Sequence, residues 1–152
     1  MIIIGENIHV IAKDVSVAIR ERNAKVIQGL TKEQTQSGAH YIDLNVGPMK
    51  KDTEETMKWL VNCVQEATDL PLSIDTMNPV AMEAGLKYCK KRALINSASG
   101  KTDSKAQMLR LAKKYNCGVV ISVMTDKGMP PEVESKIESI METVSHANEL
   151  GI

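Results

Sequence analysis

Four stretches of the sequence end an apolar run on a carboxylate or an amide: IIIGEN on Glu6 and Asn7, HYIDLNVGP on Asp43 and Asn45, LPLSIDTMNP on Asp75, and ALINSASG on Asn96 and Ser97. A carboxylate is the natural partner for clustered N–H donors, and an amide can answer a donor and an acceptor together. Groups of this kind bind and orient a polar ligand. No GxSxG motif and no Cys–His pair signals a nucleophile. His9, His40 and His146 lack a metal-ligand spacing such as HxxxH and read as structural or solvated residues. Each singled-out residue also has a plainer role open to it. Asp75 can brace the turn that follows it, and the amides can satisfy loop backbone.

The clearest stretch is residues 70–79. It reads as a short buried strand over 72–74 that ends on Asp75, with Asn78 as the cap of a helix and Pro79 at its first position. In parallel α/β domains such strand ends face the functional crevice. Earlier in the chain, a strand over 2–5 and a polar loop through His9 lead into helical material to about Ser37. Asn23 interrupts that material and Gly38 follows it as a left-handed terminator. A strand over 41–45 and the loop GPMKKD precede a helix with a capping-box-like start, Asp52 with Glu55, and Met57, Leu60, Val61 and Val64 at helical spacing. The helix after Asp75 runs to about Lys87, where KYCKKR places cations near its C-terminus. A strand over 93–95, a helix capped by Asp103 and ending near Tyr115, and a β-branched strand over 118–123 come next. That last strand is expected to be fully buried. After MTDKGMPP, Val133, Ile137, Ile140, Met141 and Val144 form one apolar stripe on a final helix.

Strands alternating with helices mean an α/β fold with a parallel sheet. The 152 residues suit one domain spanning 1–152, with an ordinary 43% hydrophobic content. Phenylalanine is absent and methionine, nine in number, fills gaps in its place. With 19 basic and 19 acidic residues the net charge is zero, which argues against nucleic acid or an anionic membrane surface as partner. No signal peptide or membrane-length apolar run is visible. Cys63, Cys89 and Cys117 are scattered in apolar surroundings, so they read as structural thiols in a reducing cytoplasm. Two architectures fit: a doubly wound five-stranded parallel sheet, which the length favours slightly, and a (β/α)8 barrel, which normally needs about 250 residues.

GENI at 5–8, DLNVGP at 43–48, LSIDT at 72–76 and INS at 95–97, with the join AGLKYCKKRALINS at 84–97, carry a resemblance. In this order and spacing they resemble the pterin-binding family of (β/α)8 TIM barrels, and within it the methyltetrahydrofolate:corrinoid methyltransferases, including the enzyme that methylates the corrinoid iron–sulfur protein. The resemblance implies an N-terminal portion of such a barrel, about five β-α units long. It implies pterin-binding roles for Asp75 and Asn96, with Asp43 and Asn45 lining the same mouth and Glu6 and Asn7 below. It also implies methyltetrahydrofolate as methyl donor and a cobalamin (corrinoid) carried by a partner protein, whose Co(I) is the nucleophile. N5 must then gain positive character as its bond breaks. No catalytic residue is assigned and no metal is expected on the chain. Two features depart from the family. His9 stands where many members have Asn, and the late strands that carry a second pterin-holding Asp and an Asn near N5 would lie past Ile152. The chain is therefore expected to be part of a longer enzyme, inactive alone, whose open strand edges favour a homodimer or homo-oligomer. Two other functions remain open: a dihydropteroate synthase-like condensation, whose Asn-Val-Thr-Pro-Asp pattern GENIHVIAKD lacks, and a non-catalytic α/β binding module.

Overall fold

Ile42 and Leu44 alternate with Asp43 and Asn45 in one strand, and Leu72 and Ile74 alternate with Ser73 and Asp75 in the next. Successive strand side chains point to opposite faces, so each strand carries one apolar and one polar face. In the computed structural model, which describes residues 1–48, 52–99, 102–125 and 127–152, these strands are β2 (Tyr41–Asn45) and β3 (Leu72–Asp75). The remaining elements, in chain order around them, are β1 (Ile4–His9), α1 (Lys13–Arg20), α2 (Ala24–Gln36), α3 (Thr53–Gln65), α4 (Pro79–Tyr88), β4 (Leu94–Ala98), α5 (Thr102–Tyr115), β5 (Gly118–Ile121) and α6 (Val133–Leu150). The chain resolves into two compact units, Met1–Ala93 and Leu94–Ile152. All pairing between named strands is parallel, and within each unit the strands pair in chain order. The α/β class and the alternation of strand and helix are those read from the sequence.

In the first unit the apolar strand face is Ile8, Ile42, Leu44, Leu72 and Ile74. The helices bury Ile27, Met57, Leu60, Val61, Val64 and Met82. Fully burying an aliphatic side chain of this size contributes roughly 1.5–3 kcal/mol, so this face carries most of the unit's stability. Strand β1 lies further along the chain than the expected 2–5. Its register runs Ile4 to Tyr41 and Gly5 to Ile42, then Ile8 to Leu44 and His9 to Asn45, so Glu6 and Asn7 together oppose Asp43 in a bulge. The buried side chain of Gln34 in α2 holds the bulge, its Oε1 accepting from the Asn7 N–H at 3.0 Å. Gly5 permits that approach: a Cβ there would meet Gln34 Oε1 at 2.5 Å.

The helix starts differ from one another. Asn78 caps α4 as expected, accepting from Val80 N at 2.9 Å and Ala81 N at 3.3 Å, with Pro79 at the first position. Asp52 precedes α3 in a left-handed conformation (φ 54°) and its side chain makes no capping bond, so the capping box does not form. The β-region backbone that aims a cap oxygen at the first turn is absent there. Arg22, itself left-handed, reaches the carbonyl side of the start of α3. Its guanidinium donates to the carbonyls of Glu55 and Thr56 at 3.3 and 3.4 Å and lies 5.0 Å from the centre of the Trp59 ring. Asp103 sits inside the first turn of α5, and the residue before that helix, like residues 49–51 of GPMKKD and Asp126 of MTDKGMPP, lies outside the described residues. Buried Cys63 has its thiol pushed up to about 11 by burial and by Glu66, so it stays protonated at neutral pH and unreactive.

In the second unit two expectations fail. Strand β5 ends at Ile121 and is not fully buried, with Val120 37% exposed. Helix α6 buries Ser139, Thr143 and Ala147 and leaves part of the apolar stripe outward, with Val133, Ile137 and Met141 between 55% and 62% exposed and Ile140 and Val144 half-buried. Strand β4 runs on to Ala98, past the expected 93–95, with its register broken between Asn96 and Ala98 and a cis peptide joining Asn96 to Ser97. Among the described residues no helix is long and apolar enough to cross a membrane.

Candidate functional site

Parallel pairing of β2 with β3 sets Asn45 directly beside Asp75 at the carboxyl ends of the two strands. Asn45 Nδ2 donates to Asp75 Oδ2 at 2.6 Å, while Asn45 Oδ1 accepts from the Gly47 N–H at 2.7 Å. The second bond fixes the amide, since only its nitrogen is then left to face the carboxylate. Gly47 is required for this turn: its φ is +65°, and a Cβ would collide with the Val10 side chain. Thr76 Oγ1 accepts from Asn78 N at 3.1 Å, and with the Asn78 cap it braces the turn into α4. Asp75 is therefore spared the bracing role and faces a cavity of about 530 Å³, which Val10, Ile11, Met77 and Gly47 also line. Burial pushes the Asp75 carboxyl above its ordinary value, and the Asn45 hydrogen bond opposes this without cancelling it. The mouth thus offers a half-buried carboxylate short of N–H donors beside an amide held in one orientation.

The other residues singled out in the sequence fall in different places. Asp43 shares a face with Asn45 but lies one layer deeper, 4% exposed and in register with Ser73, and it is outside the lining of the cavity. Glu6 and Asn7 are exposed on the β1 bulge, also outside that lining. Asn96 stands half-buried in β4 of the second unit, in register with Val120. Sequence reasoning set His9 down as structural or solvated and as a departure from the family's Asn; the bulge brings it into the row His9–Asn45–Asp75. Its Nδ1 is buried without a hydrogen-bond partner among the described residues, and so is Ser73 Oγ one layer down. The alternation Ile8 then His9, apolar then polar, was the available signal.

The sequence profile described as "Pterin binding enzyme" matches residues 15–151. The chain belongs to the pterin-binding enzyme family. Its parallel, alternating architecture fits part of a pterin-binding (β/α)8 barrel, and the doubly wound alternative is set aside. Among curated relatives, this pterin-binding chain is 35% identical over 140 residues to methylcorrinoid:tetrahydrofolate methyltransferase of Eubacterium limosum, a match covering 91% of the chain and 52% of that protein. It is 27% identical over 114 residues to the methionine synthases of Mycobacterium tuberculosis and Mycobacterium leprae, covering 72% of the chain and 10% of each. The chain therefore spans about half the length of the first relative and a tenth of the others.

Proposed function

We propose that this chain forms the pterin-holding part of a methyltransferase that moves a methyl group between N5 of tetrahydrofolate and the cobalt of a corrinoid carried by a partner protein. The observation that carries the reading is the Asn45–Asp75 pair at the mouth of the cavity. The rim of a reduced pterin presents ring N–H groups, an amino group and a carbonyl. A carboxylate short of donors fits the first two, and the free N–H of a fixed amide fits the third. At about 530 Å³ the cavity is of the size that takes a ring system and leaves its tail outside. By its INS motif Asn96 is assigned a pterin-binding role, and in the first unit Asp43 is assigned to support of the floor and Glu6 and Asn7 to the rim.

The corrinoid supplies the cobalt that takes or gives the methyl group. The name of the Eubacterium limosum relative runs from methylcorrinoid to tetrahydrofolate, opposite to the donor role that the sequence resemblance implied for methyltetrahydrofolate. The same contacts serve both directions, because one transition state is shared. This chain's residues contribute by holding the ring in one plane and orientation, so that N5 is presented to the cobalt in line. The exposed Met77 and Ile11 at the mouth keep water from the ring faces.

Calorimetric titration with methyltetrahydrofolate tests the reading. Asp75→Ala, and by its motif Asn96→Ala, should each weaken binding by ~1–3 kcal/mol, the cost of leaving buried donors unpaired. Affinity unchanged in both folded variants would refute it. Binding should also weaken as pH falls through the raised Asp75 value, because only the ionised carboxylate answers the N–H donors.

A further inference from the structure

The seam between α5 and α6 holds a charge that packing does not ask for. Lys105 of α5 is 8% exposed, and its Nζ donates to Ser139 Oγ at 3.0 Å. Among the described residues that hydroxyl is its one hydrogen-bond partner, and no carboxylate stands within ion-pair distance of it. Thr143 is committed elsewhere, its hydroxyl donating to the Ser139 carbonyl at 2.9 Å. A buried ammonium with N–H groups unanswered and no counter-charge is costly, whereas an apolar side chain of the same length would pack the seam without that cost. Beside it opens a second cavity of about 530 Å³, lined by Lys105 and Ser139, by Lys127 from the loop before α6 and, along one face of α6, by Glu138, Glu142 and His146. Glu138 and Glu142 are exposed, so their carboxylates are free to meet a donor.

We propose that this cavity binds a small zwitterion of the α-amino-acid class, its carboxylate on Lys105 and its ammonium between Glu138 and Glu142. The buried cation calls for an anion, and a charge-assisted bond to a carboxylate answers the open donors. The two glutamates balance the two lysines of the lining, Lys105 and Lys127, so an occupant that carries both signs is favoured over a dianion such as phosphate. The site is made from the second unit alone and is distinct from the Asp75 mouth, so it stands or falls independently of the pterin reading.

Thermal-shift and NMR titrations of the full chain with L-alanine, acetate and inorganic phosphate test it. L-alanine should raise the melting temperature saturably and shift α5 and α6 resonances. Acetate should bind about tenfold or more weakly, the factor that ~1.4 kcal/mol makes, and phosphate not at all. Lys105→Met should remove the L-alanine effect while the protein stays folded. Glu142→Gln, at an exposed position, should weaken L-alanine and leave acetate unchanged; this variant carries the test if Lys105→Met does not fold. No saturable L-alanine effect, phosphate binding as well as L-alanine, or full binding by a folded Lys105→Met variant would each overturn the proposal.

Discussion

Asp75 keeps its charge where burial opposes it and where the amide of Asn45 is the hydrogen-bond partner it has in place. Its folded-state value lies above the ordinary 3.8, so the native state holds a proton more tightly than the unfolded chain does. Stability from this group is therefore present at low pH and is lost as pH rises from 3.8 through the folded value. Asp75→Asn keeps an oxygen for Asn45 Nδ2 and removes the charge. It should melt above the parent protein at pH 7, with the gap closing as pH falls toward 3.8, while losing affinity for methyltetrahydrofolate. A variant that melts lower at pH 7 would show that the carboxylate is stabilised by something other than Asn45. Asp75 and Asn45 were legible in the sequence because each ends an apolar run just before turn residues. The depth of Asp43 and the placement of His9 were not legible. Depth depends on register between strands, and the β1 bulge, held by Gln34 from a distant helix, shifts every residue after it.

Helix and strand boundaries were legible wherever the local signal and the tertiary contacts agreed. Asn78 with Pro79 is such a case, and β2 and β3 lie where their alternation put them. Asp52 carries a comparable signal and fails, because the backbone enters α3 with φ 54° and does not aim the side-chain oxygen at the first-turn N–H groups. Helix α6 has the right periodicity, yet its most buried positions are Ser139, Thr143 and Ala147 rather than the larger apolar residues. Sequence alone ranks faces by hydrophobicity and does not show which face a neighbouring element will cover. The Asn78 cap gives a measurable consequence. Asn78→Ala should cost ~1 kcal/mol of stability, read as a lower urea midpoint at unchanged slope. Because Asn78 also lines the Asp75 cavity, the same variant should bind methyltetrahydrofolate less tightly. Loss of stability with affinity intact would separate the cap from the site.

Across the molecule, polar site groups face one way in the first unit while the second presents Val133, Ile137 and Met141 to solvent. A run of large apolar side chains along one exposed helix face favours self-association. We expect Ile137→Lys combined with Met141→Lys to lower the weight-average mass in light scattering at high concentration. Little change in melting temperature is expected, since both positions are exposed. Equal masses for parent and variant would leave association to another surface. The Arg22–Trp59 contact has a different kind of consequence. The sequence contains one tryptophan and no phenylalanine, and that tryptophan lies in the first unit beneath a guanidinium 5.0 Å away. Tryptophan fluorescence, excited at a wavelength where the tyrosines do not absorb, is thus a local instrument. Its emitter lies in Met1–Ala93, whereas far-ultraviolet dichroism sums the helices of both units. A tryptophan melt taken alone would report the first unit, and only the overlay of the two signals tells whether the chain loses its structure in one step or two.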